Sequence, residues 1–208
     1  MKHWILTLLT CSTVWAANFA GFTIKAYGDQ DLDLSTGVTT LPKGGIVNDS
    51  QTGLTVDAQW IRFKDNSFLE AKEARIKLET TGTLSASGLR YDMVSQKFTA
   101  EGNLHYSDGL IKDLKAKDLE INGKSQIAII RKGISSTEPK LVSDKILMDY
   151  TAHVAIMQGN YTFQYKGTKL SGKGDKATLW ISWNEKNEFK TNTKPNPEQL
   201  KRYTSLLN

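Results

Sequence analysis

Apolar and polar residues alternate along most of this chain, in short segments separated by turn-forming residues. Between Phe98 and Tyr106, for example, apolar side chains occupy every second position. A period of two is typical of a β-strand with one dry face and one solvated face. The same criterion predicts strands at 22–27, 54–63, 68–78, 84–91, 98–106, 110–121, 126–131, 141–150, 154–165 and 168–183.

Gly, Asn and Asp residues separate these segments and predict the turns between them. Asn122-Gly123 predicts a two-residue type I′ hairpin, because both residues tolerate positive φ. Ser107-Asp108-Gly109 predicts a second tight reversal. Asp92 and Asp149 end predicted strands, where a carboxylate accepts N–H bonds from the following turn. Together these patterns predict an all-β, mostly antiparallel domain of successive hairpins.

One part of the chain repeats weakly after 57 residues. The apolar positions of the strand at 98–106 recur there at 155–163, which supports a repeated sheet layer. The identical pairs at this offset are Leu84 and Leu141, Asp92 and Asp149, Gly102 and Gly159, Asn103 and Asn160, Lys112 and Lys169, and Asp118 and Asp175.

Leu89-Arg90-Tyr91-Asp92, followed by Ala100-Glu101-Gly102-Asn103 and an alternating strand, resembles the OstA-like domain of periplasmic lipopolysaccharide-transport proteins. The resemblance covers residues 53–183, although the second copy departs from it at Leu147-Met148 and Met157-Gln158. It implies an open, trough-like antiparallel β-jellyroll. It also implies partners: lipopolysaccharide or a similar anionic glycolipid, other copies joined edge to edge, and OstA-like proteins of the inner and outer membranes.

Alternation also places many apolar residues on one predicted interior face. From the residues alone, this face is either an ordinary packed core or a slot for acyl chains, and the resemblance favours the slot. Each methylene removed from water there would contribute about 0.8 kcal/mol. The predicted lipid-binding residues are Phe98, Leu104, Tyr106, Ile127, Ile129, Ile146, Met148, Met157, Tyr161 and Phe163.

The N-terminal segment is predicted to be an export signal. A basic start precedes a short apolar run, and Val14-Trp15-Ala16 suits cleavage after Ala16. The protein is therefore expected in the periplasm. A buried strand, or lipidation of Cys11, is the alternative for this segment. The predicted organisation is a signal peptide at 1–16, the jellyroll at 17–183, and a polar tail or short helix at 184–208, with Pro195-Asn196-Pro197 and the helix covering the last sheet edge.

The composition contains few signs of catalysis. His105 and His153 lack recognisable metal-site partners, and Gly172-Lys173-Gly174 lacks the spacing of a phosphate loop. We therefore expect no enzyme activity, no cofactor, no metal and no nucleic-acid partner. The net charge of +5 suits an anionic glycolipid, but is also ordinary for a lysine-rich surface.

Two other functions fit the same sequence. The first is a membrane-anchored adaptor of the same transport system, which would retain the N-terminal segment. The second is a structural or carbohydrate-binding jellyroll with a packed interior. Exposed outer-face aromatics, such as Trp180 beside Ile181 and Trp183, would favour this second alternative.

Overall fold

The structure is a computed structural model that describes residues 17–19, 22–49, 54–78, 82–109, 111–184 and 188–207. The predicted signal at 1–16, including Cys11 and the cleavage position after Ala16, lies outside the described residues.

A single open antiparallel sheet forms almost the whole described chain, and two short helices follow it. The principal strand order is β1-β2-β5-β6-β7-β8-β9-β10-β11-β12-β13-β15-β16, while β14 pairs with β13, and β4 pairs with β3 and β6. The predicted all-β fold is therefore confirmed, and an open β-jellyroll is consistent with it. The elements are β1 (Ala17–Phe19), β2 (Phe22–Ala26), β3 (Asp31–Asp33), β4 (Val38–Leu41), β5 (Gly45–Asp49), β6 (Leu54–Lys64), β7 (Phe68–Leu78), β8 (Gly82–Asp92), β9 (Lys97–Ser107), β10 (Leu114–Asn122), β11 (Ile127–Thr137), β12 (Lys140–Asp149), β13 (Val154–Tyr165), β14 (Thr168–Gly172), β15 (Thr178–Trp183), β16 (Phe189–Asn192), α1 (Pro197–Lys201) and α2 (Thr204–Leu207).

Two of the predicted strands have the observed bounds. β7 and β13 have the predicted bounds, whereas the segment predicted at 168–183 is divided into β14 and β15. The strands predicted from alternation did not include β1, β3, β4, β5 or β16. These are short strands, and so few residues give a weak period-two signal.

A row of irregular positions crosses the middle of the sheet. In β6, β7, β8, β10 and β12, the residues that face the interior change parity half-way along the strand. In contrast, β9 and β13 keep their parity but contain Gly102 and Gly159, with φ of 72° and 87°. Bulges and glycines of this kind bend strands. The row therefore lets each long strand fold over, so that two halves of one sheet enclose an interior.

The repeat predicted from the sequence aligns equivalent positions of this row. A Cβ at Gly102 would lie 2.8 Å from the Ser87 Cβ, and a Cβ at Gly159 would lie 2.6 Å from Asp144 Oδ2. Both positions therefore require glycine for its positive φ and for the close approach of the neighbouring strand.

Three hairpins share a turn in which an Asp or Asn side chain accepts an N–H from three residues further on. Asp92, Asn122 and Asp149 accept from Ser95, Ser125 and Ala152, at 2.8, 3.0 and 2.8 Å. The predicted turn role of Asp92 and Asp149 is thus confirmed.

Both predicted reversals join antiparallel neighbours, but neither is the tight turn that the sequence predicted. After Asn122 the loop spans 123–126, and positive φ falls on Gln126, because the side-chain hydrogen bond of Asn122 favours the longer turn. The Ser107-Asp108-Gly109 signal lies at the start of a longer connection to Leu114, within which Asp108 accepts the N–H of Ile111 at 2.6 Å.

Buried apolar residues form two clusters on opposite faces of the folded sheet. The interior cluster extends from Ile24 in β2 to Ile181 in β15. The outer cluster lies beneath the C-terminal helices and consists of Ile127, Ile129, Leu147, Val154, Ile156 and Tyr203.

Candidate functional site

The interior contains an apolar cavity of about 510 Å³, which we call the chamber. Its volume is within the range of roughly 300–1,000 Å³ that is usual for ligand sites. Many lining side chains, including Phe22, Leu84 and Phe98, are only partly buried. The chamber is lined by Phe22, Val47, Leu54, Val56, Leu69, Ile76, Gly82, Leu84, Leu89, Tyr91, Phe98, Leu104, Tyr106, Ile111, Leu114, Ala116, Leu119, Ile121, Ile130, Met148 and Tyr150.

A much narrower cavity of about 50 Å³ adjoins the chamber, and we call it the neck. The two share the lining residues Ile111, Leu114, Ile130 and Met148 and are therefore adjacent. The other residues of the neck are Pro139, Leu141, Ile146, Ala155, Met157, Phe163, Ile181, Trp183 and Phe189.

The interior therefore differs between its two halves. A third cavity of about 260 Å³ shares Phe163 and Phe189 with the neck and has a mixed lining that includes Lys166 and Glu188. The N-terminal half has room for a ligand, whereas the side chains of β12, β13 and β15 fill most of the C-terminal half.

The polar side chains of the chamber lining are tyrosines. Tyr106 donates a hydrogen bond from its hydroxyl to Asp108 Oδ2 at 2.7 Å. Burial, together with the hydrogen bond and the charge of Asp108, raises the pKa of Tyr106 far above its usual value. Burial and Asp108 also raise the pKa of Tyr150. None of the described residues that line the chamber is Asp, Glu, Lys, Arg or His, which suits hydrocarbon.

The structure divides the predicted lipid-binding residues among several places. Phe98, Leu104, Tyr106 and Met148 line the chamber, as expected of a ligand site. Ile146, Met157 and Phe163 line the neck, where Met157 is fully buried and Phe163 is 2% exposed. Tyr161 belongs to the interior cluster, but it is not among the lining residues of either cavity.

The placement of Ile127 and Ile129 on the interior face is wrong. Both belong to the outer cluster, and they pair across the sheet with Asp149 and Leu147. The cause is that all four residues from Ile127 to Ile130 are apolar and buried. Such a run is covered on both faces, so alternation cannot show which residues point inward.

The C-terminal helices cover the outer cluster. Sequence reasoning did not predict that this outer face of the sheet is buried. Tyr203 is 2% exposed, and its hydroxyl donates to Asp149 Oδ2 at 2.8 Å. Lys145 Nζ donates to the carbonyl oxygen of Leu207 at 2.7 Å. The helices therefore pack on the face of the sheet, instead of covering its last edge as the sequence had suggested.

Asp149 is a buried charge with several partners. Burial opposes its ionisation, but hydrogen bonds from Ala152 and Tyr203 and the charge of Arg202 outweigh this cost. They hold the pKa of Asp149 below its usual value. Burial and the hydrogen bond to Asp149 raise the pKa of Tyr203 to about 12. This arrangement anchors the C-terminal segment.

Sequence reasoning also missed the contribution of the first strands to the chamber. Phe22, Val47, Val56, Leu69 and Ile76 line it from β2, β5, β6 and β7. The alternation of β6 and β7 was visible in the sequence, but the 57-residue repeat directed attention to β9 and β13. The parity change at mid-strand also concealed which residues share a face.

The residues considered for metal or carbohydrate binding do not come together in one site. His105 is about half exposed and lies 3.6 Å from Asp113, and the ring of His153 stacks on Trp183 at 5.9 Å. Within the described ranges, no three His, Cys, Asp or Glu residues are grouped as a metal site. Trp180 packs against Tyr203 with ring centroids 6.0 Å apart, and Ile181 is buried in the interior.

In comparisons with known proteins, no family model matches this chain, and no curated protein matches its sequence. Among the described residues, no helix is sufficiently long and apolar to cross a membrane.

Proposed function

We propose that this protein is a non-enzymatic periplasmic carrier, in which the chamber holds acyl chains of lipopolysaccharide or a related anionic glycolipid in transit from the inner to the outer membrane. The observation that carries the proposal is the uncharged cavity of about 510 Å³ inside an open sheet. A large cavity lined by Leu, Ile, Val and Phe has little to bind except hydrocarbon. Each methylene placed there would contribute about 0.8 kcal/mol.

Three further observations support transport along such a system. The resemblance to OstA-like domains implies it, and the net charge of +5 suits a phosphorylated glycolipid. In the principal strand order, β1 and β16 each have one hydrogen-bonded neighbour within the described chain. Exposed strand edges can pair with another sheet, which would extend the interior from one protein to the next.

The alternative of a carbohydrate-binding jellyroll receives less support. It requires aromatic side chains free on the outer face, but Trp180 lies beneath the C-terminal helix. A membrane-anchored adaptor of the same system would use the same chamber, and it differs from the carrier only in the fate of the segment at 1–16.

Site-specific photo-crosslinking in cells tests the proposal. A crosslinker at Leu104 or Tyr106, which line the chamber, should capture glycolipid. The matched control is His105, which lies between them in sequence and is exposed on the other face. Equal capture at all three positions, or no capture by folded protein at Leu104 and Tyr106, would refute a lipid-binding chamber. N-terminal sequencing of the exported protein separates the carrier from the adaptor, since the carrier should begin at Ala17.

A further inference from the structure

The neck is the place where the interior changes from a cavity to packed protein. Its volume is about 50 Å³, against about 510 Å³ for the chamber that adjoins it. An acyl chain that fills the chamber and extends toward β13 would therefore meet closely packed side chains. Interiors packed in this way do not admit extra methylenes without displacing atoms.

Met157 is the neck residue best placed to stop such a chain. It is fully buried in β13, and across the sheet it pairs with Ile146 and Leu179. Its neighbours in the neck include Phe163 and Ile181, which are 2% and 5% exposed. Met148 lines both cavities, so the neck adjoins the chamber at this side chain.

We infer that the neck limits the length of the acyl chain that the chamber accepts, and that Met157 is the residue that determines this limit. The inference rests on the proposed function, because it assigns the end of the same lipid site. Affinity should rise with chain length by about fourfold per methylene while the chain fills the chamber. It should then level off when the terminal methyl group reaches Met157.

Titration calorimetry with saturated fatty acids from octanoate to octadecanoate measures this limit on the purified protein. Met157→Ala should move the plateau to chains longer by about two or three methylenes, the space that the side chain vacates. The longest acid should gain at least about tenfold in affinity over the unsubstituted protein. The matched control is Ile156→Ala, because Ile156 is equally buried and adjacent but belongs to the outer cluster. It should leave the plateau unchanged.

A second variant keeps the test independent of any loss of packing at Met157. Ala116 lines the chamber, and Ala116→Leu should shorten the preferred chain, since it adds volume without removing a buried contact. If fatty acids of every length fail to bind the unsubstituted protein, the proposed function fails. If they bind but Met157→Ala and Ile156→Ala give the same plateau, the chamber stands and the role of the neck is refuted. An unchanged plateau in Ala116→Leu would likewise count against a length limit set by the cavity.

Discussion

Tyr203 and Asp149 join the end of the chain to the turn between β12 and β13 through a hydrogen bond of 2.8 Å. Asp149 is fully buried, and Tyr203 is 2% exposed. The same carboxylate also shapes its own turn by accepting the N–H of Ala152. One residue thus serves a local turn, which the sequence predicts, and a long-range contact, which it does not.

Removal of the Tyr203 hydroxyl should destabilise the protein. Tyr203→Phe keeps the ring in the outer cluster but leaves the buried Asp149 carboxylate with one donor fewer. The expected loss in the free energy of unfolding is about 1–3 kcal/mol, measured by urea denaturation. Arg202→Gln is the comparison, because Arg202 is 60% exposed and its ion pair with Asp149 is screened by solvent. It should cost about 1 kcal/mol or less. A larger loss in Arg202→Gln than in Tyr203→Phe would contradict this account.

The contribution of Tyr203 should also depend on alkaline pH. Its pKa is raised to about 12 in the folded protein, against about 10 for an unfolded tyrosine. A raised pKa stabilises the fold fully below the unfolded value, and this contribution is lost as pH rises through the folded value. The difference in unfolding free energy between the unsubstituted protein and Tyr203→Phe should therefore shrink between pH about 10 and about 12. A difference that stays constant over this window would argue against a raised pKa of Tyr203 in the folded protein.

The C-terminal segment should conceal an apolar patch. Truncation after Asn192 removes Tyr203 and exposes Ile127, Ile129 and Ile156 on the outer face. Binding of the dye ANS and light scattering should both rise, because exposed apolar patches promote association. Leu207→Ser, at a half-buried residue packed on the cluster, should give a smaller effect, and Ser205→Ala, at an exposed position of the same helix, should give none. Truncated protein that stays monomeric and binds no more dye would contradict the covering role.

Glycine should be required where the strands fold over. Gly159→Ala places a Cβ at φ of 87°, and this atom would lie 2.6 Å from Asp144 Oδ2. The strain should cost about 1–3 kcal/mol of unfolding free energy, measured by thermal or urea denaturation. Gly109→Ala is the control, since a Cβ there meets nothing within 4 Å. Similar stability of the two variants would show that the bend tolerates side chains.

Self-association should occur through the sheet edges. The average mass in sedimentation should rise with protein concentration, because β1 and β16 end the principal strand order. Proline lacks the N–H that an added strand would use, and in an edge strand alternate N–H groups point outward. Of the two adjacent positions Lys190 and Thr191 in β16, we therefore expect proline at the one with the outward N–H to reduce association. Lys190→Thr should not reduce it. A mass independent of concentration in the unsubstituted protein would exclude edge pairing.

Part of this fold follows directly from short-range pattern. The alternation in β7 and β13 predicts both strands with the observed bounds. Asp92 and Asp149 act as turn residues, because their hydrogen bonds reach only three residues along the chain. The repeat that pairs Gly102 with Gly159 predicted a repeated sheet layer, and only the structure shows that both glycines have positive φ at bends of their strands.

The candidate site was predicted less completely, because it depends on which faces meet. Phe98, Leu104, Tyr106 and Met148 line one cavity, but Ile127 and Ile129 were assigned to the wrong face. Alternation indicates that a residue is buried, but it does not show which part of the structure covers that residue. For Ile127 and Ile129, the cover is a helix that lies far away in the sequence.

The sequence by itself determined the all-β class, several strands and the turn residues Asp92 and Asp149. Each of these depends on interactions between residues that are close in the sequence. Only the tertiary structure decided that the interior has an open half and a filled half. That difference arises where Met157 and Phe163, on either side of Gly159 in β13, line the neck together with Ile181 of β15, and bulges at mid-strand change which residues point inward. Packing between distant strands is a property of three-dimensional distances, and a period-two pattern contains no information about them.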